Sequence, residues 1–334
     1  MKILLTGACG FIGSHLAESL VKNNFKVKAL TYYNSLNPIG LLSNLDKNIL
    51  KEIEIISGDI RDGDFIKNIS RKSDVIINLA ALIGIPYSYV SPKSYIDTNI
   101  YGTYNILNAA KENNISHTII TSTSEVYGTA QEIPIKENHP LNAQSPYAAS
   151  KIAADQLALS FQKSFGLPVS IIRPFNTFGP RQSPRAIIPT IITQLLNNEK
   201  KNNIKLGNLK PTRDFTYIAD TVSAFIYAIK KKEKIIGQVI NIGNNFDISI
   251  KNLLDLFKND FGYNFSVKID KQRVRKKNSE VEKLKASIDK AKKILNWKPQ
   301  YAGKIGFKKG LKETIDWYKA NTKNIHYNST NYNI

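Results

Sequence analysis

Short, unbroken apolar runs alternate with longer stretches of helical periodicity through the first half of the chain. KILLT (2–6) precedes the helical FIGSHLAESLVKN, which leads into FKVKAL (25–30). IEIISG (53–58), DVIINLA (74–80), HTIITS (117–122) and PVSIIRP (168–174) continue the series, with helical patterns near 62–70, 93–114 and 146–165 between them. Apolar strands without alternation, separated by helices, predict an α/β fold with a parallel sheet covered on both faces. The helices at 95–113 and 147–165 are unusually apolar for surface helices, which predicts a covering layer such as a subunit interface. After Pro174 the texture changes. PFNTFGPRQSPRAIIPTII is rich in Pro and turn residues, and short mixed elements follow. The expected organisation is a dinucleotide-type domain over 1–174, to which the chain returns around 213–243. A smaller mixed α/β, mainly substrate-binding domain is expected over 175–322 and a loose tail over 323–334. No internal repeat is visible.

Composition narrows the picture. A chain of 334 residues, 42% hydrophobic and 10% aromatic, is long enough for about two domain-sized units. No run of 18 apolar residues is present, and MKILLTGACGFIGSHL reads as a first strand and helix instead of a leader. The single cysteine, Cys9, fits a reducing, cytoplasmic setting, and four scattered histidines argue against a metal site. The net charge of +20 raises the question of nucleic acid. However, the lysines are spread along the chain, and the densest cluster, 271–293, is punctuated by acids and lacks interleaved aromatics. A small anionic ligand suits this charge better.

Gly7-Ala8-Cys9-Gly10-Phe11-Ile12-Gly13 follows the first strand and opens the first helix. Glycines there permit a tight turn and let backbone approach a pyrophosphate at the helix N-terminus, as in the Rossmann-type doubly wound fold. About twenty residues on, where an acid usually binds the ribose of NAD, stands Thr31, which leaves NAD and NADP both open. Asp59 in SGDIRD could accept from an adenine amino group or cap the helix from 62. TSTSEVYG (121–128) puts hydroxyls and a carboxylate at a strand end, and Tyr147-Ala148-Ala149-Ser150-Lys151 opens a helix. Tyr147 and Lys151, four apart, share one helical face. A nearby ammonium favours phenolate, so Tyr147 could serve as a base below its usual value.

With these motifs the chain resembles the extended short-chain dehydrogenase/reductase family in its nucleotide-sugar-modifying branch. The likeness runs through GACGFIGSHL, SGDIRD, NLAAL, TNIYGTYNIL, STSEVYG, SPYAASK, RPFNTFGPRQ, RDFTYIAD and SEVEKLKASIDKAKKILNWKP. It implies a redox core of Thr123, Tyr147 and Lys151, and a helix-kinking Asn99 that orders a water near the lysine. It also implies a tightly bound NAD or NADP, regenerated each cycle, touched by Gly7, Gly10, Phe11, Ile12, Gly13, Thr31, Asp59, Ile60, Leu79, Ala80, Ala81, Asn99 and Ser122. Arg213 and Arg275 match diphosphate and ribose ligands, while Pro86, Asn176 and Arg185 match positions facing the sugar nucleotide. For the arginines, ordinary surface salt bridges are the bland alternative. Phe178 and Tyr217 are expected in the core.

Nucleotide-sugar 4,6-dehydratases of this branch follow the Thr with an acid and a base, usually Asp-Glu. Here the triplet is Thr123-Ser124-Glu125, so Glu125 matches and Ser124 departs. Thr-Ser-Glu also occurs in UDP-glucuronate decarboxylases, and a 4-epimerase needs only the redox core. AALIGIPYSYVSPKSY resembles dehydratases acting on N-acetylhexosamine nucleotides more than decarboxylases. Together with QSPYAASKIAADQLALSF and RPFNTFGPRQSPRAIIPTII, it is most similar to the dehydratases of legionaminic-acid biosynthesis, whose implied substrate is GDP-N-acetylglucosamine. The resemblance also implies a homodimer through a four-helix contact. A dinucleotide-binding regulator without turnover is the non-enzymatic alternative, disfavoured by the intact Thr123, Tyr147 and Lys151.

Overall fold

The computed structural model describes residues 1–197 and 203–321; the segment expected as a loose tail lies outside the described residues. Seven parallel strands form the main sheet: β1 (Lys2–Thr6), β2 (Lys26–Tyr32), β3 (Ile53–Gly58), β4 (Val75–Asn78), β5 (His117–Thr121), β6 (Val169–Pro174) and, much later, β10 (Val239–Ile242). Their spatial order is β10-β6-β5-β4-β1-β2-β3, a doubly wound α/β sheet whose order reverses between β1 and β4. The unbroken apolar runs have a direct cause. Ile3, Leu5, Ile77 and Ile119 enter one buried layer while their neighbours Leu4, Ile76 and Ile120 enter the other. Alternate side chains on a strand point to opposite faces, so a strand covered on both faces is apolar at every position.

Two expected strands shift their ends. FKVKAL continues to Tyr32 because β2 pairs with β3 as far as Gly58. DVIINLA shortens to four residues, since the Ala80 amide turns to the Thr6 hydroxyl at 3.2 Å. The helix expected over 93–114 divides into Pro92–Tyr95, a wider π-helical turn Ile96–Tyr101, and Gly102–Glu112. Asn99 sits in that wide turn and bonds elsewhere: its amide donates to Leu82 O (3.0 Å) and Ser150 Oγ (2.9 Å), and its oxygen accepts from Leu82 N (2.8 Å).

The second half carries β7 (Asn176–Phe178), β8 (Asn203–Leu206), β9 (Thr212–Tyr217), β11 (Asp247–Ser249) and β12 (Ser266–Ile269). These make a three-stranded sheet, β11-β9-β7, and a two-stranded one, β12-β8. Of the segment around 213–243, β10 joins the large sheet and the helix Ile218–Lys230 packs on the first helix, Phe11–Lys22. Thr212–Tyr217 itself stays in the small sheet. Phe178 and Tyr217 pack with Phe215 and Phe307 in the core beneath it. No helix among the described residues is long and apolar enough to cross a membrane.

Asp214 of β9 staples the small sheet to two other segments, accepting from Asn244 N at 2.7 Å and Ala286 N at 3.0 Å. Burial pushes its carboxyl up to about 7, against the pull of those amides. A raised folded value means the folded state holds the proton more tightly, so this stability contribution is fully present below about 4 and is lost as pH rises through about 7. Thermal melts of wild type and Asp214→Asn across that window should therefore show the wild type losing ground to the variant as pH rises.

Candidate active site

The turn after β1 is built for close backbone approach. Gly7 has φ +66°, and a Cβ there would lie 2.7 Å from the Ala80 amide nitrogen beyond β4. A Cβ on Gly13 would lie 2.2 Å from the Gly7 carbonyl oxygen. Gly10 caps the helix Phe11–Lys22 without any side chain on its first-turn amides. Open amides at Phe11, Ile12 and Gly13, with the positive end of a twelve-residue helix, form an anion cradle at the mouth of the β1/β4 crevice. Leu79, Ala80 and Ala81 are half-buried along its opposite lip. This cradle, which any side chain would fill, fits a dinucleotide pyrophosphate.

Other expected cofactor contacts are placed differently. Thr31 is fully buried, and its hydroxyl shares a hydrogen bond with Ser57 Oγ across β2 and β3 at 3.0 Å. The helix Gly63–Ser70 is capped by Asp62 and not by Asp59, since Phe65 N donates to Asp62 at 3.0 Å. Asp59 instead accepts from the Arg61 amide (2.9 Å) and guanidinium, which holds its carboxyl below the usual range. Ile60 is buried against Gly102. Asn99 is buried with its amide engaged by Leu82 and Ser150, so it shapes the crevice wall. Ser122 turns into the protein, donating to Asp155 Oδ2 at 2.7 Å.

The hydroxyl-rich strand end meets the tyrosine helix directly. Thr123 caps the single turn Ser124–Tyr127, accepting from Glu125 N at 3.2 Å. The helix Pro146–Phe165 starts at Ser145, whose Oγ accepts from Ala148 N, and Pro146 occupies its first position. That places Tyr147 one residue inside the helix, within electrostatic reach of Thr123 and packed edge-on to Tyr95 at 6.3 Å. Lys151 Nζ donates to the Thr121 carbonyl at 2.5 Å. Its ammonium is thus anchored on the strand end. Burial pushes the Tyr147 phenol up, eased by the Thr123 hydroxyl and reinforced by the Glu125 and Tyr95 side chains. Burial likewise pushes Lys151 down, while Asp155 raises it. The phenol therefore stands above its usual value, opposite to the lowering expected from a neighbouring ammonium.

Glu125 is buried in the same pocket, and Ser124 is buried beside it. Facing Glu125 is Arg213, whose guanidinium donates to Thr212 O (2.9 Å) and to Glu280 (3.4 Å). Burial lowers Arg213, Glu125 raises it, and Arg275 lowers it further. Arg275 shares Glu280 at 3.7 Å, so two guanidiniums converge on one carboxylate. Arg213 is buried and Arg275 half-buried, so Arg213 at least is not an ordinary surface salt bridge. Asn176 stands half-buried at the start of β7, and its Oδ1 accepts no hydrogen bond among the described residues. Pro86 lies in the first turn of the short helix Ile85–Val90. Arg185 is exposed, leans on Ser183 Oγ (3.3 Å), and its charge reaches Tyr95. Sequence reading overlooked Glu280, Tyr95, Asp155 and Arg173. Only Asp155 carried a local signal, standing four residues beyond Lys151 on the same helical face.

Comparison with known proteins places this fold among sugar-nucleotide enzymes. The family model for GDP-mannose 4,6 dehydratase matches residues 4–314. A putative UDP-glucose 4-epimerase of Methanocaldococcus jannaschii is 33% identical over 326 residues, covering 96% of this chain and 99% of the relative. The human dTDP-D-glucose 4,6-dehydratase is 33% identical over 336 residues, covering 97% and 91%. Among solved structures, UDP-glucuronic acid 4-epimerase from Bacillus cereus, in complex with UDP-glucuronic acid and NAD, superposes with a TM-score of 0.84 at 31% identity, covering 96% of this chain and 99% of that one.

The cradle makes a direct prediction. Gly13→Val should weaken NAD and NADP binding, measured by titration calorimetry, by at least about tenfold, or roughly 1.4 kcal/mol. Unchanged affinity in a folded variant would remove the glycine turn from the site.

Proposed function

The chain belongs to the GDP-mannose 4,6 dehydratase family of extended short-chain dehydrogenase/reductases, and from that premise we propose that it is a nucleotide-sugar 4,6-dehydratase. The substrate is a nucleotide-diphosphate N-acetylhexosamine, GDP-N-acetylglucosamine by resemblance, and the product is the 4-keto-6-deoxy sugar. The observation that carries the reading is Glu125, a buried carboxylate two residues from Thr123 and within electrostatic reach of Tyr147. A redox core alone exchanges a sugar hydroxyl and ketone, whereas a carboxylate beside it adds a base for a neighbouring carbon.

NAD or NADP held at the open amides after Gly10 would supply a hydride acceptor for C4 and a hydride donor for C6. Thr123 orients the C4 hydroxyl, and the Tyr147 phenolate takes its proton as the ketone forms. The C4 ketone acidifies the C5 hydrogen, which Glu125 removes. The C6 hydroxyl leaves as water with the proton Glu125 took from C5, passed directly or through Ser124. Glu125 then relays a solvent proton to C5 as C6 is reduced, and Tyr147 returns its proton to solvent, so the only net loss is one water. Arg213 and Arg275 offer forked donors to the diphosphate. Pro86, Asn176 and Arg185 line the approach to the sugar, and the open amides after Gly10 hold the cofactor pyrophosphate. Exposed Ile96, Tyr101 and Tyr104 on the segment Ile96–Glu112 and Phe165 at the end of Pro146–Phe165 support pairing of two copies through these helices. The reducing setting implied by the lone Cys9 supports a cytoplasmic enzyme.

A 4-epimerase is the second reading, favoured by Ser124 where dehydratases usually carry Asp and by the epimerases among the relatives. Product mass separates the two. Incubation with GDP- and UDP-N-acetylglucosamine should yield a product lighter by one water, whereas unchanged mass with inverted stereochemistry would establish the epimerase, and loss of carbon dioxide from UDP-glucuronate a decarboxylase. Glu125→Gln should lower turnover about 100-fold or more and accumulate reduced nicotinamide absorbance; full turnover would remove Glu125 from the mechanism. Arg213→Ala should weaken nucleoside-diphosphate binding by about 10- to 100-fold, the span expected of one charge-assisted contact.

A further inference from the structure

Behind the redox core lies a buried polar network that the mechanism above does not use. Tyr147, Lys151 and Asp155 follow one another at intervals of four along the helix Pro146–Phe165, so they occupy one face. Asp155 and Arg173 of β6 are both buried. Asp155 Oδ2 accepts from Ser122 Oγ at 2.7 Å, from Arg173 Nη2 at 2.9 Å and from Arg173 Nε at 3.1 Å. Arg173 uses its other arm on the Tyr127 hydroxyl at 2.9 Å, and Tyr127 donates onward to Asn241 of β10 at 2.7 Å. The Asn241 backbone N–H donates to Glu137 at 2.9 Å, and its side-chain amide to Ile135 O at 3.1 Å.

Two features single out Asp155 within this network. Ser122 lies between Thr121, whose carbonyl receives Lys151, and Thr123, which lies within electrostatic reach of Tyr147. A hydrogen bond from Ser122 to the helix therefore pins the strand end in the middle of the three residues that contact the catalytic face. Asp155 is also the only charged group acting on Lys151 from its own helix, one turn away. An ammonium buried this deeply is stable as a cation only beside a compensating charge.

We propose that Asp155 is a positioning residue of the redox core, clamping Thr121–Thr123 onto the helix of Tyr147 and Lys151 and, with Arg173, setting the electrostatic potential at both. The proposal rests on the reading of Thr123, Tyr147 and Lys151 as that core. Burial pushes the Asp155 carboxyl up, and Arg173, Ser122 and Lys151 oppose it, with the guanidinium contacts at 2.9 and 3.1 Å favouring the carboxylate. Groups facing Tyr147 are Thr123 and Glu125 from the strand end, Tyr95 from the segment Pro92–Tyr95, and Asp155 from its own helix. Those facing Asp155 are Ser122, Arg173 and Lys151, with Tyr127 behind the guanidinium. Removing the carboxylate charge makes the local potential more positive, so both Tyr147 and Lys151 should lose their protons at lower pH.

The test reads Tyr147 directly. Tyrosinate absorbance is titrated in the full chain with NAD or NADP bound, as the difference from a Tyr147→Phe variant, without any sugar nucleotide. In Asp155→Asn the midpoint should fall by roughly half a unit to one unit. In Asp155→Asn with Arg173→Gln, which removes both charges, it should return most of the way. Ser122→Ala leaves both charges in place. Its midpoint should stay put while kcat for whichever nucleotide sugar is consumed drops several-fold at constant KM. An unmoved midpoint in a folded Asp155→Asn variant, or an unchanged kcat in Ser122→Ala, would overturn the proposal. If Asp155→Asn does not fold, the Ser122→Ala kcat decides. The titration needs no substrate, so a wrong sugar assignment and a wrong role for Asp155 give different failures.

Discussion

A single hydroxyl holds the gap on which the site is built. Thr6, the last residue of β1, donates to Asn78 Oδ1 at the end of β4 at 2.6 Å and accepts from the Ala80 amide at 3.2 Å. It thereby fixes the two strands where the sheet order reverses, and connections after them diverge to opposite faces. Ala80 is also the backbone that Gly7 approaches. The width of the crevice, the absence of a side chain at Gly7 and the aim of the first helix are one geometric condition. β5, next to β4, then delivers Thr121–Glu125 to the edge of the same opening.

Charge inside the site is arranged in linked sets. Arg213 and Arg275 share Glu280, and Arg173 holds Asp155 beside Lys151. Buried pairs of this kind contribute little net stability, but losing one partner costs about 3–5 kcal/mol because the other charge is stranded. Their value here lies in specifying one arrangement: each couples segments far apart in sequence around the reacting groups. The surplus positive charge at the Arg213 end suits an anionic diphosphate, while the Thr123–Tyr147 end is drier and packed by Tyr95. A polar entrance and an enclosed reacting centre are thus separated along one cleft.

Much of this was legible from residue order because the signals are local. The strands of the main sheet show in unbroken apolar runs, since both faces are covered, and the helix Pro146–Phe165 shows in its Ser-Pro start. The glycine turn, Thr123, Glu125, Tyr147 and Lys151 each sit at a strand end or helix start, where spacing alone tells which groups share a face. Thr31, Asp59 and Ser122 show the boundary of that logic. Position along the chain put them near a cofactor, and their polar atoms also bond within the protein: Asp59 to the local Arg61, Thr31 and Ser122 to Ser57 and Asp155 brought close only by the fold.

What the residue order determined by itself, then, is the layering, the cradle and the helical face of the redox core, all consequences of backbone periodicity and short-range turn chemistry. Only the tertiary structure decided that Arg213 and Arg275 meet on Glu280, that Asn99 winds its helix wide to hold Leu82 and Ser150, and that Asp155 reaches Arg173. Apart from Arg275 and Glu280, which lie close in the chain, these contacts join residues 17 to 67 positions apart in sequence. No local preference encodes them; they follow from how the sheet brings the ends of its strands together.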